Sequence, residues 1–245
     1  MKESILEIIR RKAGKGKKQL AVLIDPDKFN PEVVANAEKT KVDFIFIGGS
    51  TVKKSDFYKA AGYIKKNSKI PLVIFPGDEH QISKKADALL LLSLVSGRNS
   101  DYLIGKHVSV AKQLKQSKIE IIPTAYILLD GGKKSTVSKV TKTIPIEPKN
   151  KNLIISTSIA SELLGLKLIY LEAGSGAKIS ISGEVLRSVK NHINLPIICG
   201  GGIDSKDKIE YCWLNGADLV VVGNALEKKP ELLFDLVKAR EKYSV

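Results

Sequence analysis

Eight short apolar runs, spread along the chain and each closed at its C-terminal side by small or polar residues, constrain the fold most strongly. They are Leu20 to Asp25, Asp43 to Ile47, Pro71 to Phe75, Asp87 to Leu92, Ile119 to Ala125, Leu168 to Glu172, Leu195 to Cys199 and Asp218 to Val222. Most are continuously apolar, the pattern of parallel strands buried on both faces. Helical or polar stretches separate them. This α/β alternation predicts a (β/α)8 TIM barrel, and the 245 residues suit one such unit of roughly 250. One domain over residues 1–245 is expected, without a second domain, an internal repeat or a low-complexity tract.

Helices are predicted over Pro31 to Lys39, behind an Asn30 cap, and over Ser55 to Lys66, Ser182 to Asn191 and Asp204 to Leu214. Two connections depart from the repeat. Only eleven residues, Pro76 to Ala86, join the third and fourth strands, whereas a crossover with its helix takes at least ~10 to 12. The third helix is therefore expected to be missing or shrunken, leaving a gap in the outer ring. Conversely, Leu128 to Lys167 is long, and should carry an inserted loop before a helix near Leu153 to Leu164.

Composition narrows the partners only slightly. The formal charge is +14, but the excess is nearly all lysine, 35 Lys to 5 Arg, so the bidentate Arg forks suited to phosphates or base edges are scarce. The run Arg10 to Lys18 reads either as a contact for anionic lipid or nucleic acid or as a frayed, solvated helix end. Cys199 and Cys212 have neither zinc-site nor disulfide-framework spacing and read as buried residues, and the three histidines form no metal pair. With no apolar run of the ~18 residues a membrane span needs, the chain reads as cytoplasmic, with reduced thiols.

In a parallel barrel the active site lies where the strands end. Gly200-Gly201-Gly202-Ile203 and Gly223-Asn224-Ala225 follow the seventh and eighth strands, where such barrels hold phosphates on backbone N–H groups. The bland alternative is a pair of tight turns. Tyr170-Leu171-Glu172-Ala173-Gly174-Ser175-Gly176 ends the sixth strand and would close a polar pocket on a phosphorylated small molecule. There Glu172 reads as hydrogen-bond acceptor or base for a substrate hydroxyl, or else as a solvated surface glutamate. Asp25, in Asp25-Pro26-Asp27, is placed for Mg²⁺ or for forming a turn, with the Ser50 hydroxyl as a second oxygen. Arg98 could hold an oxyanion or pair with Asp101.

These motifs together, with Phe46-Ile47-Gly48-Gly49-Ser50, Phe75-Pro76-Gly77, Leu92 to Asn99 and Ile122 to Leu128, resemble the geranylgeranylglyceryl phosphate synthases over Leu23 to Ala225. The resemblance implies a Mg²⁺-dependent prenyltransferase on a modified TIM barrel lacking the third helix. Its reaction is attack by the 3-hydroxyl of sn-glycerol 1-phosphate on geranylgeranyl diphosphate, releasing diphosphate, in ether phospholipid biosynthesis. It implies Asp25 and Ser50 as Mg²⁺ ligands. It also implies Tyr170, Leu171, Glu172, Ala173, Gly174, Ser175, Gly176, Gly201, Gly202, Gly223 and Asn224 as glycerol phosphate positions. Glu172 is the candidate base, Arg98 a diphosphate contact, and the gap of the third helix the place for the prenyl tail. A homo-oligomer, a transient membrane-surface contact and no nucleic acid are expected. Leu23 stands where the related heptaprenylglyceryl phosphate synthases carry lysine, which favours the geranylgeranyl branch, and Ala125 replaces a common family glycine. The rivals are a synthase of another prenyl length, another phosphate-binding barrel such as a sugar-phosphate isomerase, and a basic protein that binds RNA or membranes.

Overall fold

A computed structural model describes residues 3–243; the first two and last two positions of the expected 1–245 domain lie outside the described residues. Eight parallel strands form a closed barrel in sequence order. They are β1 (Gln19–Ile24), β2 (Phe44–Ile47), β3 (Leu72–Ile74), β4 (Ala88–Ser93), β5 (Glu120–Leu128), β6 (Leu168–Glu172), β7 (Ile197–Gly200) and β8 (Leu219–Val222). Each falls on one of the eight apolar runs. β5 continues past Ala125 because Tyr126, Ile127 and Leu128 pair with Tyr170, Leu171 and Glu172 of β6.

Alternation of side chains sorts the strands into two cores. Ala21, Phe44, Phe46, Val73, Leu90, Ile122, Tyr170, Ile198 and Val221 fill the inside. Their neighbours, among them Val22, Ile45, Ile47, Leu89, Ile127, Leu171 and Val220, pack outward against the helices. The helical ring begins with α1 (Ile5–Gly14), α2 (Pro31–Thr40), α3 (Lys54–Asn67), α4 (Lys106–Ser117) and α5 (Thr136–Thr141). It is completed by α6 (Lys151–Leu163), α7 (Gly183–Lys190), α8 (Lys206–Leu214), α9 (Asn224–Lys228) and α10 (Leu232–Glu241). Asn30, Ser182 and Ser205 cap α2, α7 and α8 with side-chain oxygens. Cys199 of β7 and Cys212 of α8 are buried, with their sulfurs 3.7 Å apart.

As expected from its length, the β3–β4 connection carries no helix. The long connection after β5 is more ordered than a loop followed by one helix. It contains α5 and a bridge from Leu129 to Ile146 before reaching α6.

The N-terminal segment also departs from a frayed, solvated end. Ser4 and Glu7 form a reciprocal cap at the start of α1, and Ile5 and Ile9 are buried among the inward-facing barrel residues. Glu120, the first residue of β5, accepts hydrogen bonds from the Ile5 and Leu6 N–H groups at 2.6 and 3.0 Å, so a carboxylate meets the positive end of the helix. The Gln19 amide donates to the Ile9 carbonyl at 3.2 Å. Lys12 and Arg240 both pair with Asp43. Thus α1 closes the N-terminal end of the barrel, and part of its basic run is used in the fold.

Ile9→Ala should cost ~2–5 kcal/mol, as for other buried Ile truncations. Urea unfolding should show a lower midpoint at unchanged slope; an unchanged midpoint would detach α1 from the core.

Candidate active site

The sixth strand carries the chemistry to the mouth. Tyr170 and Glu172 are two residues apart and therefore face the same side, into the barrel. Glu172 is only 7% exposed. Its Oε1 accepts the Gly174 N–H at 2.6 Å, and the Tyr170 hydroxyl also hydrogen-bonds to it. Burial pushes its carboxyl up to about 7, against the opposing pull of those two donors. It is therefore no solvated surface glutamate. The Tyr170 hydroxyl is itself pushed well up, first by burial and then by the adjacent Glu172 charge. Phe75 and Tyr126 complete an aromatic floor, with ring centroids 5.0 and 5.4 Å from that of Tyr170.

The glycines after β7 are required by this carboxylate. Gly201 has φ +90°, and a Cβ there would lie 2.6 Å from Glu172 Oε1 and 2.8 Å from the Gly174 nitrogen. Across the mouth, the Ser175 hydroxyl donates to Asn224 Oδ1 at 3.1 Å, tying the β6 loop to the β8 loop. Ser175, Gly176, Gly201, Gly202, Gly223 and Asn224 all line one cavity together with Tyr170 and Glu172. Three members of the expected β6 set do not line it. Leu171 and Ala173 alternate outward into the helix-facing core, and Gly174 gives its N–H to Glu172.

On the opposite side of the mouth, Asp25 and Ser50 line the same cavity. Asp25 also forms its turn: Oδ1 accepts the Asp27 N–H at 3.0 Å, while Oδ2 lies 3.8 Å from Lys28 Nζ. Asp27 caps the next segment, accepting the Lys53 N–H at 3.0 Å. The Gly48 to Ser50 loop is held close by buried Gln81, whose amide donates to the Gly49 carbonyl at 2.8 Å and whose oxygen accepts from Gly77 at 3.2 Å. Among the described residues no three acidic, histidine or cysteine side chains gather around a metal position. The donors at hand, one carboxylate and one hydroxyl, are hard oxygens. That set fits Mg²⁺, which takes few protein ligands and leaves other positions to water and substrate phosphates.

Arg98 stands apart from this assembly. It is exposed, is absent from the cavity wall, and donates to the carbonyls of Val95 and Gly97 at 3.1 and 2.7 Å. Neither an oxyanion position nor an ion pair with Asp101 is found for it among the described residues. Lysines that do line the cavity are Lys28, Lys106, Lys228 and Lys229. Lys106 bonds Asp78 at 3.0 Å and lies over the Tyr102 ring. Lys28 directly follows Asp25-Pro26-Asp27 and was within reach of sequence reasoning.

The cavity measures about 920 Å³. Its wall joins the glycine loops, Glu172, Asp25 and Ser50 to an apolar trench lined by Ile82, Leu89, Leu91, Val110 and Leu114. Leu89 and Leu91 belong to the helix-facing core of β4. The trench thus occupies the place a helix between β3 and β4 would fill.

The sequence profile of the PcrB family matches residues 13–241. The chain belongs to the PcrB family. A geranylgeranylglyceryl phosphate synthase of Zunongwangia profunda is 46% identical over 226 residues, 91% of this chain and 97% of that one. One of Chitinophaga pinensis is 43% identical over 235 residues, covering 94% and 93%. The crystal structure of (S)-3-O-geranylgeranylglyceryl phosphate synthase from Thermoplasma acidophilum with its substrate sn-glycerol-1-phosphate superposes with a TM-score of 0.92. It shares 32% identity and covers 98% of this chain and 100% of its own. The modified barrel is therefore shared by this PcrB-family chain and a synthase that holds glycerol phosphate.

Glu172 gives a stability test in this PcrB-family barrel. Between 4.5 and about 7 the folded state keeps a proton that the unfolded state has lost, so burial of this group costs stability as pH rises through that window. Glu172→Gln should raise Tm above about pH 8, by up to about 3 kcal/mol of stability, with the gain vanishing below about pH 4. A pH-independent change in melting would contradict the buried titration.

Proposed function

We propose that this protein joins geranylgeranyl diphosphate to the 3-hydroxyl of sn-glycerol 1-phosphate, forming geranylgeranylglyceryl phosphate and diphosphate in ether phospholipid synthesis. The observation that carries the reading is one continuous cavity with three different walls. Glycine-rich loops after β6, β7 and β8 suit a phosphate, buried Glu172 suits a hydroxyl, and the apolar trench beside β4 suits a prenyl tail. The relatives' names and the substrate held by the Thermoplasma acidophilum enzyme support the same assignment.

The glycerol phosphate is held by Ser175, Gly176, Gly201, Gly202, Gly223 and Asn224, where backbone N–H groups approach the anion without obstruction by Cβ atoms. Its free hydroxyl points at Glu172. The hydroxyl oxygen bonds to C1 of the prenyl chain as the C1–O bond to diphosphate breaks, and the hydroxyl proton passes to the Glu172 carboxylate. A carboxyl held near 7 is matched to that task, since it accepts a proton at neutral pH without being fully protonated beforehand. Asp25 and Ser50 would hold Mg²⁺, which would supply positive charge to offset that of the departing diphosphate. Lys28 adds a cation beside Asp25. The aromatic floor of Phe75, Tyr126 and Tyr170 excludes water beneath the reacting atoms.

The proposal extends to a cytoplasmic homo-oligomer. Exposed Leu163 and Leu164 at the end of α6 and Leu214 at the end of α8 offer apolar surface to a second copy, and no helix among the described residues is long and apolar enough to cross a membrane.

Incubation with Mg²⁺, labelled glycerol 1-phosphate and prenyl diphosphates of several lengths should yield organic-soluble label, most efficiently with the geranylgeranyl chain. No product at any length would sink the assignment, and a clear optimum at a longer chain would move it to a heptaprenyl-type synthase. For the wild type, kcat/KM should rise with pH through about 7. Glu172→Gln should abolish that limb and lower kcat by roughly 10²–10⁴-fold with little change in glycerol phosphate KM. Equal losses in kcat and binding would argue against a base. Asp25→Ala should raise the Mg²⁺ concentration needed for half-maximal turnover, and an unaltered Mg²⁺ dependence would remove Asp25 from the metal site.

A further inference from the structure

The apolar end of the cavity opens beside a surface that the proposed reaction does not use. Two segments of the rim line the cavity: Tyr102 with Lys106, Val110 and Leu114 of α4, and Thr136, Val137 and Val140 of α5. The two segments are tied at their base, where the Asn99 amide donates to the Thr141 carbonyl at 3.2 Å. On their outer sides, apolar residues face solvent where nothing in the barrel requires them. Ile104 is 57% exposed, Val108 68% and Ile144 86%. Ile179, on the next loop around the mouth, is 63% exposed and packs beside Gly132. All follow the consecutive strands β4, β5 and β6, so they belong to one sector of the C-terminal rim.

The exposed charge on one of these segments is positive. Lys106, at the start of α4, is paired with Asp78, and Lys112, Lys115 and Lys118 lie farther along α4 toward the closed end of the barrel, so the rim draws its positive charge from the segment around α5. From Lys133 to Ile146 there are four exposed lysines, Lys133, Lys134, Lys139 and Lys142, and no acidic residue among them. Projecting aliphatic side chains beside the exposed lysines of the α5 segment suit a bilayer with anionic headgroups, the apolar tips entering the acyl boundary and the lysines lying among the phosphates. The cavity that both segments line gives that surface a purpose.

We propose that the α4–α5 rim of the mouth docks on an anionic phospholipid bilayer, so that the prenyl tail enters, and the lipid product leaves, without crossing water. This rests on the prenyltransferase reading for its purpose, but the docking itself is separable from turnover. It places the membrane at the C-terminal mouth rather than at the N-terminal basic run, which lies at the other end of the barrel on α1.

Flotation of the full chain with phosphatidylcholine vesicles, with and without phosphatidylglycerol, tests it. Binding is expected only to the vesicles containing phosphatidylglycerol and should weaken as salt rises. The combined variant Ile104→Ser, Val108→Ser, Ile144→Ser should lose most of the binding. Lys139→Gln with Lys142→Gln should weaken it about fivefold per lysine, the equivalent of ~1 kcal/mol each. None of these residues lines the cavity, so turnover of a short, water-soluble prenyl diphosphate should be unchanged in both variants. Arg10→Gln with Arg11→Gln should bind vesicles like the wild type. The proposal is overturned if the wild type ignores phosphatidylglycerol vesicles, if the rim variants bind as it does, or if the Arg10 and Arg11 changes abolish binding instead. A wild type that self-associates through Ile104, Val108 and Ile144 and leaves vesicles untouched would also overturn it. Vesicle binding by a protein with no prenyltransferase turnover would sink the enzymatic assignment and leave the docking surface standing.

Discussion

Closure of the sheet is the constraint from which the site follows. β1 pairs with β2 on one side and with β8 on the other, in registers that set Leu23 beside Phe46 and Val22 beside Val222. With both edges satisfied, no strand exposes its backbone groups. All eight C-terminal ends meet around one mouth, and residues distant in sequence become neighbours there. Asp25 comes beside the Gly48 to Ser50 loop, and Ser175 reaches Asn224 across a sequence gap of 49 residues. The opposite end is closed by α1, whose N-terminus is held by Glu120 and whose Ile9 extends the interior core. Only one end of the barrel is left free for a ligand.

Within that frame the least comfortable group is Glu172. A carboxylate almost fully withdrawn from water is unfavourable unless its charge is supported, and here two donors, the Gly174 N–H and the Tyr170 hydroxyl, support it only in part. The neighbouring chain is shaped around it, since Gly200 and Gly201 leave no room for a Cβ beside the Tyr170 and Glu172 side chains. A strongly perturbed acid, set in a deep cavity and served by glycines that approach so closely, is where structural logic yields to chemical need.

Much of this was legible in the residues because it depends on local pattern. Continuous apolar runs identified all eight strands, and the shortness of Pro76 to Ala86 showed that a helix was missing. The glycine loops after β7 and β8 were visible for the same reason. What was hidden depends on partners far along the chain. The stretch Arg10 to Lys18 looks solvated until Asp43 is seen to take both Lys12 and Arg240. Arg98 looked like an anion contact by proximity to a strand end, yet its guanidinium turns back to local carbonyls. The resemblance implies all seven residues from Tyr170 to Gly176 as substrate positions, but alternation sends Leu171 and Ala173 to the outer core. Gln81 carried no motif at all, because its role of fastening Gly49 to Gly77 exists only after the loops have met.

The missing helix shows how the fold and the ligand depend on each other. In a complete barrel a helix would cover the outer face between β3 and β4 and bury Leu89 and Leu91. Here Leu89 is buried and Leu91 half-buried, and both line a cavity whose far wall is α4. Leaving apolar area uncovered forgoes roughly 25 cal/mol for each Å² not removed from water. An elongated apolar ligand lying in the trench restores that burial, and it binds only the folded chain, so occupancy and stability rise together. On the proposed reading, the omission that opens the trench makes a prenyl tail lying there a replacement for part of the helical layer. The polar end gains no such compensation, since its glycine loops are already fixed by Glu172 and by the contact between Ser175 and Asn224. A preformed phosphate end and an apolar end completed by its ligand divide the work of recognition between rigidity and burial.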